Sequence, residues 1–436
     1  MSLDFRELKL RDYSKFHLVD NPFPAITVPE ESPVILVDRE RVLKSIRDVV
    51  VSAVMTGKSN TLVVTGAYGS GKSHLLKFAK TNINSQLSSL KENRTIAVYV
   101  ENPRSYFRQF YSETVNGLGE AFVKDLVRTL VIRYMTSNPN ELASLVVEKG
   151  KEQATANRII SGVSYKSQNL DVIFESGVIR HGDLLHRIHK TYENKFRLRD
   201  YLDVAFKLLT PTFESSSWRW LSSERITRTE KDEVGASSEI EEQNALDAFH
   251  DLRILFSLGG FGTLVILLDE LERITELHRS LESRYFDDLR HFVDNNTEGI
   301  CLIACVTPTA FGEIQASGHP LERRLLSNTD RLDPFDVPLT INLVKAYLAN
   351  SRNRFLEQHH ITPSTYSHAI QEKYKNADAD LFPFDNAVVK WVHEFTGGNI
   401  GFTLVACRKL LDEASDKKMD VISDQAFVDS VLKTEA

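Results

Sequence analysis

Residues 55–80 read MTGKSNTLVVTGAYGSGKSHLLKFAK, and Gly-Lys-Ser occurs in them twice, at Gly57-Lys58-Ser59 and at Gly71-Lys72-Ser73. A loop that cradles phosphate needs G-x-x-x-x-G-K-[ST] directly after a buried strand and opening a helix. Its glycines let backbone N–H groups close on phosphate oxygens, and the helix N-terminus adds the positive end of its dipole. The second copy meets each condition. Thr61-Leu62-Val63-Val64-Thr65 reads as a short buried strand. Gly66-Ala67-Tyr68-Gly69-Ser70-Gly71-Lys72-Ser73 is the full pattern, and Leu75, Leu76 and Ala79 follow at helical spacing. The first copy lacks the leading glycine and precedes the strand. Its expected role is a polar turn ending a helix over 39–54, with Gly57 at the C-terminal cap.

The other half of a nucleotide site stands far downstream. Leu264-Val265-Ile266-Leu267-Leu268 is an apolar run that closes on Asp269-Glu270. In phosphate-loop enzymes a strand beside the phosphate-loop strand ends in an aspartate that helps hold Mg²⁺. An adjoining glutamate polarises the attacking water. Alone, the two acids suit an ordinary helix start equally well. With the loop upstream they point to ATP hydrolysis: Ser73 and Asp269 on Mg²⁺, Lys72 on the phosphates, Glu270 as base. The next strand, "CLIACV", ends at Thr307. A polar residue at that edge of a parallel sheet contacts ligand; a threonine before Pro308 also simply initiates a turn. Arg323, Arg324 and Arg331 are the candidates for stabilising charge in the transition state.

The chain has 436 residues, 42% of them hydrophobic, enough for two or three domains with a core. A net charge of −7 gives no global basic field to advertise nucleic acid. Cys301, Cys305 and Cys407 read as small buried hydrophobes, which implies a reducing, cytoplasmic setting. The charged start MSLDFRELKLRD does not read as a signal peptide, and no apolar run approaches membrane-spanning length.

Along the chain, the proline-rich residues 1–35 read as an extended segment. Residues 36–335 read as a nucleotide-binding α/β core, a parallel sheet sandwiched by helices. A helical insertion interrupts it over about 110–257; within it 214–242 is polar and reads as an exposed connection with one short helix. Residues 336–436 read as a helical lid, with Thr340 capping 341–357, Asp385 capping 386–395 and Gly397-Gly398 ending that helix. "ENPRSYFRQFY" has two readings, a base-stacking, phosphate-holding cluster or a packed strand-to-helix connection. His186 and His189 lack the further ligands a metal needs.

This order of parts resembles the AAA+ ATPases of the origin-recognition (Orc/Cdc6-like) branch, over roughly 36–110 and 258–434. "LVDRERVLKSI" is similar to the family's opening segment, whose arginine, here Arg39, sits near the adenine. "GAYGSGKSH", through His74, is similar to the Walker A loop and "LVILLDE" to the Walker B strand; Thr307 falls where sensor 1 lies. "TGGNIGFTLVACRKLLDEA" resembles the lid segment, yet Gly401 stands where the branch often has its sensor-2 arginine, with Arg408 two turns on. Lys72 and Asp269 are 197 positions apart, longer than a compact module of this kind. Relatives carry a winged-helix DNA-binding domain after the lid, and none is expected by residue 436. The insertion is closer still to the ATP-binding proteins of BREX-type phage-defence islands, which it resembles in "VYVENPRSYFRQFY", in the Trp220-Leu221-x-x-Glu224 element of "WRWLSSERITRTEKDEVGAS" and in the "LGGFG" lead-in to the acidic strand.

The resemblance implies an ATP- and Mg²⁺-dependent switch or motor, self-assembling or partnered, acting on DNA directly or through partners. The alternative is a STAND-like scaffold that holds nucleotide for long periods without DNA-stimulated turnover. A small-molecule kinase shares the loop but needs neither the lid nor the Asp-Glu pair.

Overall fold

A computed structural model describes residues 11–24, 35–90, 93–147, 150–162, 174, 177–316, 328–375 and 377–433. The chain divides into two compact units. One comprises Lys44–Thr65 and Ala79–Asp330, the other Met1–Leu43, Gly66–Phe78 and Arg331–Ala436.

The first unit is built on a sheet of β1 (Asn60–Gly66), β2 (Arg94–Val100), β3 (Phe261–Leu268), β4 (Ile300–Val306) and β5 (Thr329–Leu332), in the order β2-β3-β4-β1-β5. Its ladders β2–β3, β3–β4 and β1–β4 are parallel. These strands are near-continuous β-branched and aliphatic runs because both faces are covered; β4 is buried at every position. The acidic strand β3 does not neighbour β1 as expected. β4 lies between them, so Thr307 follows a strand flanked by the loop strand on one side and the acidic strand on the other. The register pairs Thr65 with Val306 and Leu268 with Ala304, so the residues after β1, β3 and β4 leave one edge of the sheet.

The insertion packs on this sheet through one shared core. Phe107, Phe110, Phe249 and Phe292 cluster with Val98, Val100 and Leu264, the Phe249 and Phe292 rings 4.7 Å apart. "ENPRSYFRQFY" is therefore a packed connection. Arg104 pairs with Glu113, and Arg108 donates to the Ser223 carbonyl. The expectation for 214–242 is corrected. It forms two helices, Glu214–Leu221 and Arg228–Val234, and buries Trp220, Ser217, Ser222, Val234 and Ile240. The Trp220 indole N–H donates to the Ser238 carbonyl and the Ser223 hydroxyl to that of Ile240. Polar composition here is compatible with burial because the indole and the Ser222 and Ser223 hydroxyls find backbone acceptors, whereas the buried Ser217 hydroxyl has no hydrogen-bond partner in the described structure.

The second unit holds five helices of the described lid residues: Val337–Gln358, Pro363–Lys373, Asn386–Thr396, Ile400–Asp416 and Gln425–Leu432. Asp336, not Thr340, caps the first of these, accepting the Leu339 N–H; Thr340 lies inside the helix and donates to the Asp336 carbonyl. Asp385 caps the third, which ends at Gly397 with φ +59°. Residues 11–24 are bound into this unit: Phe16, Leu18 and Phe23 join the lid core, and Arg354 pairs with Asp20 at 2.8 Å. All three cysteines are buried and none forms a disulfide, and burial pushes the Cys301 thiol up to about 12. No helix of the described residues is long and apolar enough to cross a membrane.

Candidate nucleotide-binding site

The helix after β1 begins at Lys72, and the first N–H to bond inward is that of Leu75, to the Gly71 carbonyl. The N–H groups ahead of it stand at the helix end, where intrahelical partners are lacking and an anion is favoured. Gly69 and Gly71 have φ of +73° and +93°, a conformation that costs glycine nothing. Together with the Ser70 N–H on the Ala67 carbonyl at 3.1 Å, they curl the loop back on itself. The Ser70 hydroxyl is buried and has no hydrogen-bond partner in the described structure. The Lys72 ammonium donates to the Gly66 and Ala67 carbonyls at 2.8 and 3.2 Å, and Tyr68 is exposed. Ser73 and His74 are half-buried on the first helical turn, with burial and Lys77 holding the His74 imidazole below its usual range.

Arg39 is brought to this loop. Its guanidinium donates to the carbonyls of Ser70 at 2.9 Å and Asp333 at 3.2 Å, and lies 4.6 Å from the Phe335 ring centre. Burial lowers its pKa, yet it stays charged. From the lid, Asn399 donates to the Tyr68 carbonyl and the Gly401 N–H to that of Gly69. A Cβ on Gly401 would lie 3.1 Å from Gly69 Cα, so the sensor-2 position has no room for a side chain without displacing the loop. Arg408 is committed elsewhere: its guanidinium donates to the Phe23 carbonyl and lies 3.9 Å from the Asp412 carboxylate.

In the other unit Asp269 is 1% exposed. Its carboxylate accepts the Tyr99 hydroxyl at 2.9 Å and the Glu270 N–H at 3.0 Å. Glu270 takes φ +48°, strained for a side chain of this size, and its half-exposed carboxylate pairs with Arg273 at 3.1 Å. Arg273 also pairs with Glu276, and the two carboxylates raise its pKa. Thr307 is buried; its N–H donates to Glu272 at 3.2 Å and its hydroxyl accepts the Ala310 N–H at 3.4 Å. Of the candidate arginines, Arg323 and Arg324 lie outside the described residues. Arg331, on β5, pairs with Asp333 at 2.8 Å.

Sequence reasoning missed Tyr99, Glu272 and the reach of Asn399. Glu272 stands three residues past Asp269 in "DELE", a spacing that could have marked it. Nothing local marks Tyr99, which meets Asp269 only through the β2–β3 register. Among the described residues no group of three His, Cys, Asp or Glu side chains forms a metal site. The Asp269 carboxylate and the Ser73 hydroxyl, each taken in its own unit, are oxygen donors of the kind that suits Mg²⁺.

Residues 176–352 match the family described as BREX system ATP-binding protein BrxC/D. The match spans Trp220–Glu224, β3 with its acids and β4, part of the sequence on which the resemblance rests; residues 98–111 and the phosphate loop lie outside it. No curated protein is significantly similar. Among solved structures, the Aeropyrum pernix ORC2 protein in ADPNP–ADP complexes is similar at 11% identity and a TM-score of 0.46, over 95% of this chain and 72% of that one. The Drosophila ORC bound to DNA is similar at 12% and 0.41, over 99% and 69%. The Aeropyrum pernix ORC1 protein in complex with DNA is similar at 14% and 0.40, over 93% and 67%.

Proposed function

We propose that the chain is a Mg²⁺-dependent ATPase of the AAA+ type, working as a switch or motor in a DNA-directed phage-defence assembly of the BREX kind. The observation that carries the nucleotide reading is the loop itself: a buried strand runs into two left-handed glycines and a helix opening at Lys72. The BREX setting is supported by the family match over 176–352. Lys72 and the loop N–H groups hold the β- and γ-phosphates, with Arg39 fixing the loop from behind through Ser70. Bound Mg²⁺, held by Ser73 and Asp269, would neutralise charge developing on the phosphates. Tyr99 orients the Asp269 carboxylate. Glu270 takes the proton of the attacking water once its carboxylate turns from Arg273. Thr307 positions the γ-phosphate or the water.

Lys72→Ala is expected to abolish ATP binding in a titration with fluorescent ATP. Glu270→Gln should bind ATP but turn it over at least tenfold more slowly; normal hydrolysis by that variant would remove the base assignment. A second reading is favoured by one observation: among the described residues no lid arginine is hydrogen-bonded to the loop, since Gly401 has no side chain and Arg408 donates to the Phe23 carbonyl. On that reading the protein is a slow nucleotide switch whose output is partner binding. Turnover and mass measured with ATP, with DNA, with both and with neither separate the two. DNA-stimulated hydrolysis with ATP-dependent assembly supports the motor, and slow turnover by a monomer indifferent to DNA supports the scaffold.

A further inference from the structure

The start of the helix Ile400–Asp416 and the phosphate loop belong to the same compact unit and meet through backbone groups. The Gly401 N–H donates to the Gly69 carbonyl at 2.8 Å. Asn399 has two tasks. Its Oδ1 accepts the Phe402 N–H at 3.1 Å, capping the helix. Its Nδ2 donates to the Tyr68 carbonyl. Gly69 is close enough to Asn399 Oδ1 that a Cβ there would collide with it. The lid thus grips the carbonyls of Tyr68 and Gly69, the second of which is one of the two glycines that curl the loop.

We infer that Asn399 is a positioning residue for the phosphate loop, tying Tyr68 and Gly69 to the lid so that the lid tunes nucleotide affinity through the loop backbone, equally for di- and triphosphate. The inference rests on the nucleotide reading above. A donor to the Tyr68 carbonyl touches no phosphate. It changes only how well the loop is preorganised, a cost common to every nucleotide that uses the loop.

Asn399→Asp separates the two tasks. An aspartate keeps the acceptor that caps the helix and loses the Nδ2 donor. The experiment titrates the full chain with fluorescent ATP and fluorescent ADP, and follows amide hydrogen exchange of the nucleotide-free protein. Asn399→Asp should raise Kd about three- to tenfold for both nucleotides and leave their ratio unchanged, the loss of one hydrogen bond. Exchange at residues 68–71 should quicken while the thermal midpoint stays near wild type. Asn399→Ala should give the same rise in Kd with a lower midpoint, because the cap is lost too. Wild-type affinity and exchange in Asn399→Asp overturn the inference, as does a change in the ATP:ADP ratio beyond threefold. Wild-type protein that binds neither nucleotide overturns the functional reading and this inference with it. Binding that Lys72→Ala abolishes and Asn399→Asp leaves untouched overturns the inference alone.

Discussion

Two lysines in identical tripeptides stand in different settings. Lys58 follows a helix, Glu40–Thr56, that ends at Gly57 with φ +68°. Around it the chain is stitched to the approach to β4: Gly57 accepts from the Gly299 N–H, and Ser59 donates to Thr297 and accepts from Ile300. Lys58→Ala should therefore leave the Kd for ATP within twofold of wild type, in the titration where Lys72→Ala abolishes binding; a larger loss would give the first copy a part in the site. The roles separate in sequence because each depends on immediate neighbours, a strand before and a helix after. Arg408 is the opposite case. Its spacing from the lid glycine makes it a plausible substitute sensor, and only the path of residues 21–24 decides that its guanidinium is taken.

At the scale of elements, strands and long helices were legible because their apolar periodicity reports two-sided or one-sided burial directly. The segment 214–242 was not. Its serines suit a loop, and their burial rests on contacts that residue order does not mark: Ser223 donates to the Ile240 carbonyl, and the Ser222 carbonyl accepts from Ser112. The insertion also carries a polar anchor that no pattern reveals. Asp251, 0% exposed, accepts the N–H groups of Arg197 and Leu198, both at 2.8 Å. Burial, against the pull of those two donors, pushes its carboxyl up from 3.8 to about 7. Between those values the native state keeps a proton that the unfolded chain has lost. This group's contribution to stability therefore falls as pH rises through that window, by at most about 1.4 kcal/mol per pH unit, and levels off above it. Urea midpoints measured from about pH 4 to pH 8 should show this slope in wild type and lose it in Asp251→Asn.

On the scale of the molecule, the division into two compact units cuts across the sequence order. The phosphate loop and residues 11–24 are grouped with the lid, while the strand before the loop stays with the sheet. Residues 1–35 read as extended from their prolines; the described residues 11–24 include a 3-10 turn at Ser14–Phe16 and are part of a core. Phe23 is fully buried, its ring centre 5.9 Å from Phe384 and 6.0 Å from Tyr347. Phe23→Ala should destabilise that unit by about 3–4 kcal/mol. Hydrogen exchange is expected to quicken across 337–432 and hold in β2, β3 and β4; uniform change in both would mean that the units unfold as one.

The sequence by itself determined the phosphate loop, the acid pair, the strands that deliver them and the helical character of insertion and lid. Each is written in a few adjacent residues, or in a periodicity that a single element carries. Tertiary structure alone decided that β4 separates β1 from β3, that Tyr99 reaches Asp269, that 214–242 is interior, and that Gly401 and Asn399 close on the loop. These depend on strand register and on contacts between residues up to 331 positions apart. Neither partner in such a contact carries a local mark of the other, because the free energy of the contact belongs to the pair.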